Sequence, residues 1–340
     1  MPLAPFGVLS NNNDRRLAQE VSIVNPMPGW KGSATAYRAL VEAWLADVTD
    51  RLWPAWVDGA WQGGAAASMD EATRRELELA VALYHGQGGT DILDEVPDIP
   101  PAPDGKPRTQ KWHFDIEDAL VLDLRFRFVQ DGGEPPSFDF RASNGIAANY
   151  LVYDPTDQQG AFAERFFARM DDIEPSTVRI KQHLQRPRPW SAAVALGVDG
   201  FRWTTAGHEF ASHTGIHPSM ISGHCIQGIL GGCAVYDAWL GEGQGVSADR
   251  RRAMQKYMVD FGDRRVFAGV HYMTDNIASW TLARRIIPHL FTHADEVEAF
   301  AVEALTTHSR VFADILAHFD PADPAREMLL AYYPEAAAPA

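Results

Sequence analysis

The amino-acid sequence predicts an all-α protein, a multi-helix bundle, on three observations. Apolar residues recur at the spacing of a helix face over most of the chain. Helix start and stop signals bound these segments, such as the capping box at Ser68–Glu71 and the proline Pro54 after the first segment. The sequence shows no run of alternating strands and no internal repeat. Together these patterns favour helices packed on helices.

Individual helices follow from the same signals. We predict them at Ala36–Leu52, Ser68–Tyr84, Lys111–Val129, Asp157–Asp172, Pro175–Gln185, Ser222–Leu240, Ser247–Phe261, Arg264–Arg285 and Ala294–Phe319. The segment Lys111–Val129 could form a helix or a strand, and we favour the helix. Five prolines in Asp94–Arg108 predict a loop or an internal linker.

The length of 340 residues allows one large domain or two closely packed units. We divide the chain into an N-terminal helical region at 1–110, a helical bundle at 111–333 that carries the motifs described below, and a disordered tail at 334–340. The N-terminal region should pack on the bundle. We expect one structural domain overall.

The charge balance limits the classes of partner. Apolar residues make up 46% and charged residues 22% of the chain, as in an ordinary globular protein. The net charge is −15, from 45 acidic and 30 basic residues, which argues against broad binding to nucleic acid or to anionic membranes. Basic residues gathered in one place on such a chain therefore indicate a particular anion.

Nothing in the sequence directs the chain to a membrane or to an oxidising compartment. On one helix, Cys225 and Cys233 would lie about 12 Å apart, too far for a disulfide. The N-terminus has no basic region and only a short apolar stretch, unlike a secretion signal. The longest apolar run, Ile226–Leu240, is interrupted by glycines and by Asp237. We expect a protein without a secretion signal, cytoplasmic or otherwise soluble.

The first cluster that can carry chemistry runs from Lys181 to Pro189. Lys181 and Arg188 are seven residues apart, and the prolines near Arg188 let the chain turn out of the helix end. Two cations can then converge on one anion, with a point charge from lysine and a planar fork from arginine. Alone, this cluster is equally typical of a solvated basic helix end.

The second cluster is His217–His224, followed by an apolar helix. Ser222 is placed as the N-cap, so the N–H groups of Gly223 and His224 would form an anion site at the helix start. His224 adds a group that can move protons. Alone, the pattern is more typical of a capped helix with a buried histidine.

The third cluster contains Arg265, Gly269, His271 and Asp275. His271 and Asp275 are four residues apart, so the carboxylate can accept from one ring nitrogen and aim the other. Gly269 removes a side chain where a ligand would approach His271. A surface pair on an ordinary helix would explain His271 and Asp275, but not Arg265 and Gly269.

In this order, the three clusters resemble the tripartite signature of the superfamily that joins bacterial class A acid phosphatases, type-2 phosphatidic acid phosphatases and vanadium-dependent haloperoxidases. The signature reads Lys, six residues, Arg-Pro; then Pro-Ser-Gly-His; then Ser-Arg, three residues, Gly, one residue, His, three residues, Asp. The chain matches it at Lys181, Arg188, Pro189, Ser222, Gly223, His224, Arg265, Gly269, His271 and Asp275. Ile221 and Arg264 stand where the signature has proline and serine. The resemblance covers about Pro175–Asn276 and implies a multi-helix bundle of the acid phosphatase and vanadium haloperoxidase type.

The resemblance also implies a role for each matching residue. His271 would be the nucleophile on phosphorus, or the vanadium ligand if vanadate is bound, with Asp275 orienting it. His224 would be the general acid for the leaving group and later the base for water. The equatorial oxygens of phosphate or vanadate would be held by Lys181, Arg188, Ser222, the Gly223 N–H and Arg265.

Several other residues were weighed. His208, Glu209 and His213 have a spacing that could suit a metal, but no template supports one, and we predict that no metal is bound by them. Trp190 and His217 are candidate pocket walls, and plain packing explains Trp190 equally well. Arg186 competes with Arg188 for the anion, and the spacing of the signature selects Arg188.

Within this superfamily, the resemblance favours a metal-independent phosphatase that would hydrolyse a phosphate ester or a diphosphate through a phosphohistidine and need no cofactor. The short stretch from His224 to Arg265 resembles the compact phosphatases. The alternative is a vanadate-dependent haloperoxidase that oxidises halide with hydrogen peroxide. His217 favours it, because algal bromoperoxidases have a histidine in a matching position.

A third reading is a silent anion-binding protein, which the complete set of His224, His271 and Asp275 disfavours. The expected partners are small molecules, a phosphate ester or halide and peroxide, with no nucleic acid and no membrane span. The sequence leaves the oligomeric state open, with a homodimer among the options.

Overall fold

A computed structural model describes residues 3–5, 26–84, 169, 172–173, 176–201, 218–243, 245–246, 248–267 and 269–337. Over this part of the chain the fold is all-α and multi-helical, as the sequence predicts. The helices are α1 (Ala34–Arg51), α2 (Met69–Tyr84), α3 (176–184), α4 (Pro189–Leu196), α5 (Gly223–Gly241), α6 (Ala248–Phe267), α7 (Met273–Leu290), α8 (Ala294–His308), α9 (Arg310–His318) and α10 (Pro324–Tyr332). A two-stranded antiparallel hairpin joins β1 (Ala55–Val57) to β2 (Ala60–Gln62).

Helix α5 lies at the centre of the core and packs mainly against α6, and also against α7 and α8. Most of its residues are buried, including Ile226, Ile229 and Leu230. Gly228 lets α6 come close, because a Cβ atom there would lie 2.5 Å from the Cβ of Phe261. The glycines that interrupt this apolar run are therefore part of the packing between α5 and α6.

The N-terminal helices attach to the rest of the core through buried tryptophans. The indole N–H of Trp44, on α1, donates to the hydroxyl of Thr281, 3.1 Å away on α7. The indole N–H of Trp53 donates to the carbonyl of Leu184 at the end of α3, at 2.9 Å. These bonds satisfy buried polar groups. They hold α1 against α7, and the segment after α1 against the end of α3.

Serine and aspartate caps begin several helices. The hydroxyl of Ser33 accepts from the Ala36 N–H at α1, and the carboxylate of Asp323 accepts from the Ala325 N–H at α10. Ser309 caps α9 and so divides the single helix predicted at Ala294–Phe319 into α8 and α9. That prediction was wrong because Ser309, which also contacts Asp263, was overlooked as a helix start.

A second correction concerns the helices predicted at Ser247–Phe261 and Arg264–Arg285. The first runs on to Phe267, and the second begins only at Met273. Gly262 lies inside α6, where a Cβ atom would be 2.6 Å from the sulfur of Cys225. The chain turns instead at Gly269, whose φ is +69°, a conformation that glycine adopts readily.

The helices predicted at Ala36–Leu52 and Ser68–Tyr84 are confirmed with shifts of one or two residues.

Other predictions fall partly or wholly outside the described residues. The helix at Lys111–Val129, the linker at Asp94–Arg108 and most of the helix at Asp157–Asp172 lie outside the described part. The tail predicted as disordered begins with a 3-10 turn at Pro334–Ala337, where Glu335 pairs with Arg284, and residues 338–340 are not described.

The structure also bears on cysteines and membrane spans. Cys225 and Cys233 are both free and buried, in line with the predicted lack of a disulfide. None of the helices in the described ranges is long and apolar enough to cross a bilayer.

Candidate active site

The three sequence clusters meet around His271. Lys181 comes from α3, Arg188 from the turn between α3 and α4, and Ser222 and Gly223 from the start of α5. Arg265 lies in the last turn of α6. His271 lies in the loop before α7, and Asp275 in the first turn of that helix. The site is therefore built where helix ends meet.

The first cluster leaves the end of α3 as the prolines suggest. After residue 184, Gln185 adopts a left-handed conformation with a φ of +51°. The chain then runs extended to Arg188, the N-cap residue of α4. A residue that precedes proline avoids the helical region, so Arg186 and Arg188 are both held in extended backbone. After this turn, Arg188 and Lys181 both lie close enough to His271 to lower its pKa.

Lys181 joins the first cluster to the second. Its ammonium group is buried and donates to the carbonyls of Pro218 and Ser219, at 3.0 and 2.7 Å. The Ser219 N–H in turn donates to the carbonyl of Arg186, at 3.0 Å. The segment that leads into α5 is therefore fixed to the segment that carries the two arginines.

The start of α5 has the geometry of an anion site. The hydroxyl of Ser222 accepts from the Cys225 N–H at 3.4 Å, as a helix N-cap does. A Cβ atom at Gly223 would lie 3.1 Å from Thr177 and 3.9 Å from the Cε atom of Lys181. The tight contact is with Thr177, while the side chain of Lys181 passes Gly223 at an ordinary packing distance. The first N–H groups of α5, like those of any helix, have no intrahelical acceptor.

His271 and Asp275 form a buried pair. The Nδ1 atom of His271 lies 2.9 Å from Oδ2 of Asp275, and the backbone N–H of Tyr272 donates to the same oxygen at 3.1 Å. The sequence predicts this pair within one helix, which was wrong: His271 precedes α7, and Asp275 reaches back across the helix start. The contact survives because a carboxylate in the first turn points towards the residues before it.

The hydrogen bonds of His271 define its tautomer. Its Nε2 atom lies 3.0 Å from Nη1 of Arg188, which also donates to the Val270 carbonyl. A guanidinium group can only donate, so Nε2 accepts and carries the lone pair. The proton is then on Nδ1 and is donated to Asp275. The unprotonated nitrogen, Nε2, thus faces the cationic side of the site and accepts from Arg188.

The pKa of His271 is well below its ordinary value. Burial is the main cause, followed by the positive charges of Arg188, Lys181, Arg265 and His224. Burial also lowers the pKa of Arg188 to about 10 and that of Arg265 to about 9. Both arginines are thus cations at neutral pH, while His271 is neutral, the form that a nucleophile or a metal ligand requires.

This charge distribution gives a prediction that is independent of turnover. We expect the His271 imidazole to titrate below pH 6.5, the ordinary histidine value, because each neighbouring cation opposes a second proton. Arg188→Gln should raise the pKa of His271, since it removes one of these charges. Histidine ¹⁵N chemical shifts followed against pH measure both values.

Arg38→Gln is the matched control for this titration, because Arg38 is exposed on α1 and is not among the charges that lower the pKa of His271. It should leave the titration of His271 unchanged. A His271 signal that titrates at or above pH 6.5 in the unmodified protein would contradict the inferred neutral state.

His224 lies at the edge of this group. It is half-buried and its ring stacks on that of Phe261, with centroids 6.4 Å apart and planes 22° apart. Its charge is among those that lower the pKa of His271. His224 is thus more accessible than His271 and is held by α5 with its ring fixed from α6.

Arg186, treated in the sequence only as a rival of Arg188, has a different position. Its Nη1 atom donates to Oδ1 of Asp275 and to the hydroxyl of Thr274, both at 2.7 Å. Its Nη2 atom pairs with Glu76 at 3.2 Å. The guanidinium lies between the rings of Trp53 and Tyr272. Arg186 therefore supports Asp275 from the side opposite His271.

Glu76 completes this support and had no sequence signal. It is buried on α2 and accepts from the backbone N–H of Thr274 at 2.7 Å. The hydroxyl of Thr274 donates to the same carboxylate. Glu76 and Thr274 are 198 residues apart, so no local motif could have paired them. In the sequence, the one hint of this network around Asp275 is that Arg186, like Arg188, is followed by a proline.

Comparison of the chain with protein-family models, with curated proteins and with solved structures finds no match. The geometry of the described residues therefore stands as the basis for assigning a function.

Some candidate residues have no described position. His208, Glu209, His213 and His217 fall in the gap between 201 and 218, and the side chain of Arg264 is likewise outside the description. Trp190 lies in the first turn of α4, directly after Arg188 and Pro189, and is half-buried.

Proposed function

We propose that the protein is a metal-independent phosphatase of the acid phosphatase and vanadium haloperoxidase superfamily. It hydrolyses a phosphate ester or a diphosphate through a phosphohistidine on His271. The observation that carries the proposal is the state of His271: a buried, neutral imidazole with Nδ1 fixed by Asp275 and Nε2 facing Arg188. This is the arrangement that a nitrogen nucleophile needs when its target is an anion.

In the first step, Arg188 transfers its N–H hydrogen bond from Nε2 of His271 to a phosphoryl oxygen, and the released Nε2 lone pair attacks phosphorus and forms the P–N bond. The P–O bond to the leaving group breaks, and the leaving oxygen takes a proton from His224. His271 becomes positively charged as the bond forms, and Asp275 stabilises that charge through the Nδ1 proton. The pairing of Asp275 with Arg186 and the Tyr272 N–H keeps the carboxylate in place during this change.

In the second step, water attacks phosphorus from the side of the departed group. His224 now accepts a proton from the water, the P–N bond breaks, and its electrons return to Nε2. Inorganic phosphate leaves, and both histidines regain their starting states. One half-buried histidine can serve both steps because its protonation alternates between them.

The cations stabilise charge during both steps. Phosphoryl transfer spreads negative charge over three equatorial oxygens, with the attacking and leaving groups in line. Lys181, Arg188 and Arg265 are all buried near His271, where their electrostatic effect exceeds that of exposed charges. The N-terminus of α5, with Ser222 and Gly223, adds donors on one side. These groups together would supply the charge that a metal ion supplies in other phosphatases.

The second candidate is the vanadate-dependent haloperoxidase, favoured by His217 in the sequence. Vanadate can take a fifth ligand, and it would then be an analogue of the transition state of phosphoryl transfer. The residues fit it, since Nε2 of neutral His271 could bind vanadium and the three cations could hold its oxygens. Bound vanadate would supply the activation of hydrogen peroxide for halide oxidation.

A paired assay of the purified protein tests the choice. We expect hydrolysis of p-nitrophenyl phosphate without vanadate, and unchanged hydrolysis in EDTA, because the protein's cations carry the role of a metal. With vanadate, hydrogen peroxide and bromide, we expect no bromination of monochlorodimedone above the rate without protein.

Bromination without hydrolysis would replace the phosphatase with the haloperoxidase. Loss of hydrolysis in EDTA that a divalent ion restores would overturn metal independence and point to His208, Glu209 and His213. Absence of both activities, with p-nitrophenyl phosphate and with a diphosphate, would contradict the proposed function.

A further inference from the structure

A cavity of about 440 Å³ lies behind the support of Asp275, among the end of α1, the start of α2 and the α9–α10 turn. Its walls are largely apolar and include Leu52, Ala65, Met69, Leu79, Phe319 and Pro324. This volume is within the range of sites that take small organic molecules. The cavity can therefore hold a compact apolar body.

The floor of the cavity is formed by the network that holds Asp275. Glu76, Arg186 and Thr274 line it, and all three side chains are more than nine-tenths buried. The same three groups contact one another, and Arg186 contacts Oδ1 of Asp275. The cavity thus reaches the back of the His271–Asp275 pair, while Nε2 of His271 faces Arg188 on the other side.

The mouth of the cavity carries two arginines and two aspartates. Arg51 and Arg75 line it, are exposed, and form no ion pair within the described part of the chain. The acidic residues at the mouth are engaged with backbone donors: Asp320 accepts from Ala322 N–H at 2.8 Å, and Asp323 from Ala325 N–H at 2.9 Å. On a chain of net charge −15, two such arginines beside an apolar cavity are suited to an anionic group.

We propose that this cavity is a second ligand site, which binds an amphipathic anion with a compact apolar body and one carboxylate or sulfonate group. The apolar body lies against Leu52, Met69 and Phe319, and the anionic group pairs with Arg51 and Arg75 at the mouth. The site is separate from the oxyanion site, and its existence does not depend on the proposed phosphatase activity.

A ligand in this cavity would touch part of the catalytic support. It would pack against Glu76 and Arg186, which determine where Asp275 lies and, through it, how His271 is oriented. A ligand that binds one arrangement of Glu76 and Arg186 more tightly would shift the position of Asp275 and so change the affinity of the oxyanion site. By thermodynamic linkage, an anion bound at the oxyanion site would change the affinity of the cavity for its ligand by the same factor. The cavity is therefore placed to act as an effector site.

The test uses 8-anilinonaphthalene-1-sulfonate, a fluorescent amphipathic anion, with the full-length protein. We expect saturable binding of one equivalent that octanoate displaces and orthovanadate does not. Arg51→Ala with Arg75→Ala should raise the dissociation constant about tenfold, the order expected for two exposed charge contacts. Ala72→Trp should remove this binding, because Ala72 lines the cavity and is exposed, so the indole can fill the space without entering the core.

The matched control is Arg38→Ala with Arg74→Ala, which removes two arginines from the same two helices but not from the cavity. It should change the dissociation constant by less than about twofold. Absence of saturable binding, equal weakening by the control pair, or displacement of the probe by orthovanadate would each overturn the proposal. Thermal melts of each variant establish that the protein under test is folded.

Discussion

His271→Ala is expected to abolish turnover of p-nitrophenyl phosphate while the protein remains folded. The variant loses the imidazole whose Nδ1 is fixed by Asp275 and whose Nε2 accepts from Arg188. Asp275 keeps its contacts with Arg186 and the Tyr272 N–H, so no buried carboxylate is left without a partner. We expect a fall in kcat of about 10⁴-fold or more, as for loss of a nucleophile elsewhere. Initial rates and a thermal melt measure the two effects.

The chain offers a matched control in His293, whose Nδ1 atom pairs with Asp237 at 3.0 Å, away from the three clusters. His293→Ala should keep near-normal rates. Acid-labile, alkali-stable phosphate should appear on the unmodified protein in rapidly quenched reactions and should be absent from His271→Ala. A folded His271→Ala protein with normal turnover would eliminate the phosphohistidine mechanism.

Asp275→Asn is the second large expected effect, and it should fall on kcat. Every partner of this carboxylate is a donor: Arg186 at Oδ1, and His271 Nδ1 and the Tyr272 N–H at Oδ2. An amide has only one oxygen, so its NH₂ group must face one of these donors. Either Arg186 loses its acceptor, or the imidazole adopts the wrong tautomer. We expect kcat to fall by about 10³-fold or more, as when the orienting aspartate of a catalytic triad is replaced.

The affinity for phosphate separates this role from that of Arg188. Asp275 touches His271 and not the oxyanion, so the inhibition constant for phosphate should change little in Asp275→Asn. Arg188→Ala should weaken phosphate binding and lower kcat together, because its guanidinium would contact the anion in both the ground and transition states. Asp237→Asn, at the His293 pair, should leave both values unchanged. If Asp275→Asn mainly weakens phosphate binding and Arg188→Ala does not, then Asp275, and not Arg188, lies beside the anion, and the proposed roles are wrong.

Periodicity and caps predicted the helical class because they are local. The apolar face of α1 and the Ser222 cap are determined by residues within a few positions of each other. The errors came where the outcome depends on distant contacts. The helix predicted to end at Phe261 continues through Gly262, whose lack of a side chain leaves room for the sulfur of Cys225 on α5.

The same distinction holds for the site. Lys181, Arg188 and the His271–Asp275 pair lie in recognisable spacing, and the structure brings them together. The role of Arg186 depends on Glu76, which belongs to a helix more than a hundred residues earlier and has no motif of its own. The residues that we propose contact the anion can therefore be found from spacing, whereas those that support Asp275 required coordinates.

The ion pair between Glu76 and Arg186 has a consequence for how the chain can be divided. The boundary we predicted at 110 separates the three motifs from Glu76, Trp44 and Trp53, yet these residues contact α7, the end of α3 and Arg186. A fragment that begins at residue 111 would retain every motif but would leave the Arg186 guanidinium without one carboxylate and one aromatic face. The N-terminal helices are thus an integral wall of the candidate site, and we expect that truncation or recombination at this boundary would not yield a fragment with an intact site.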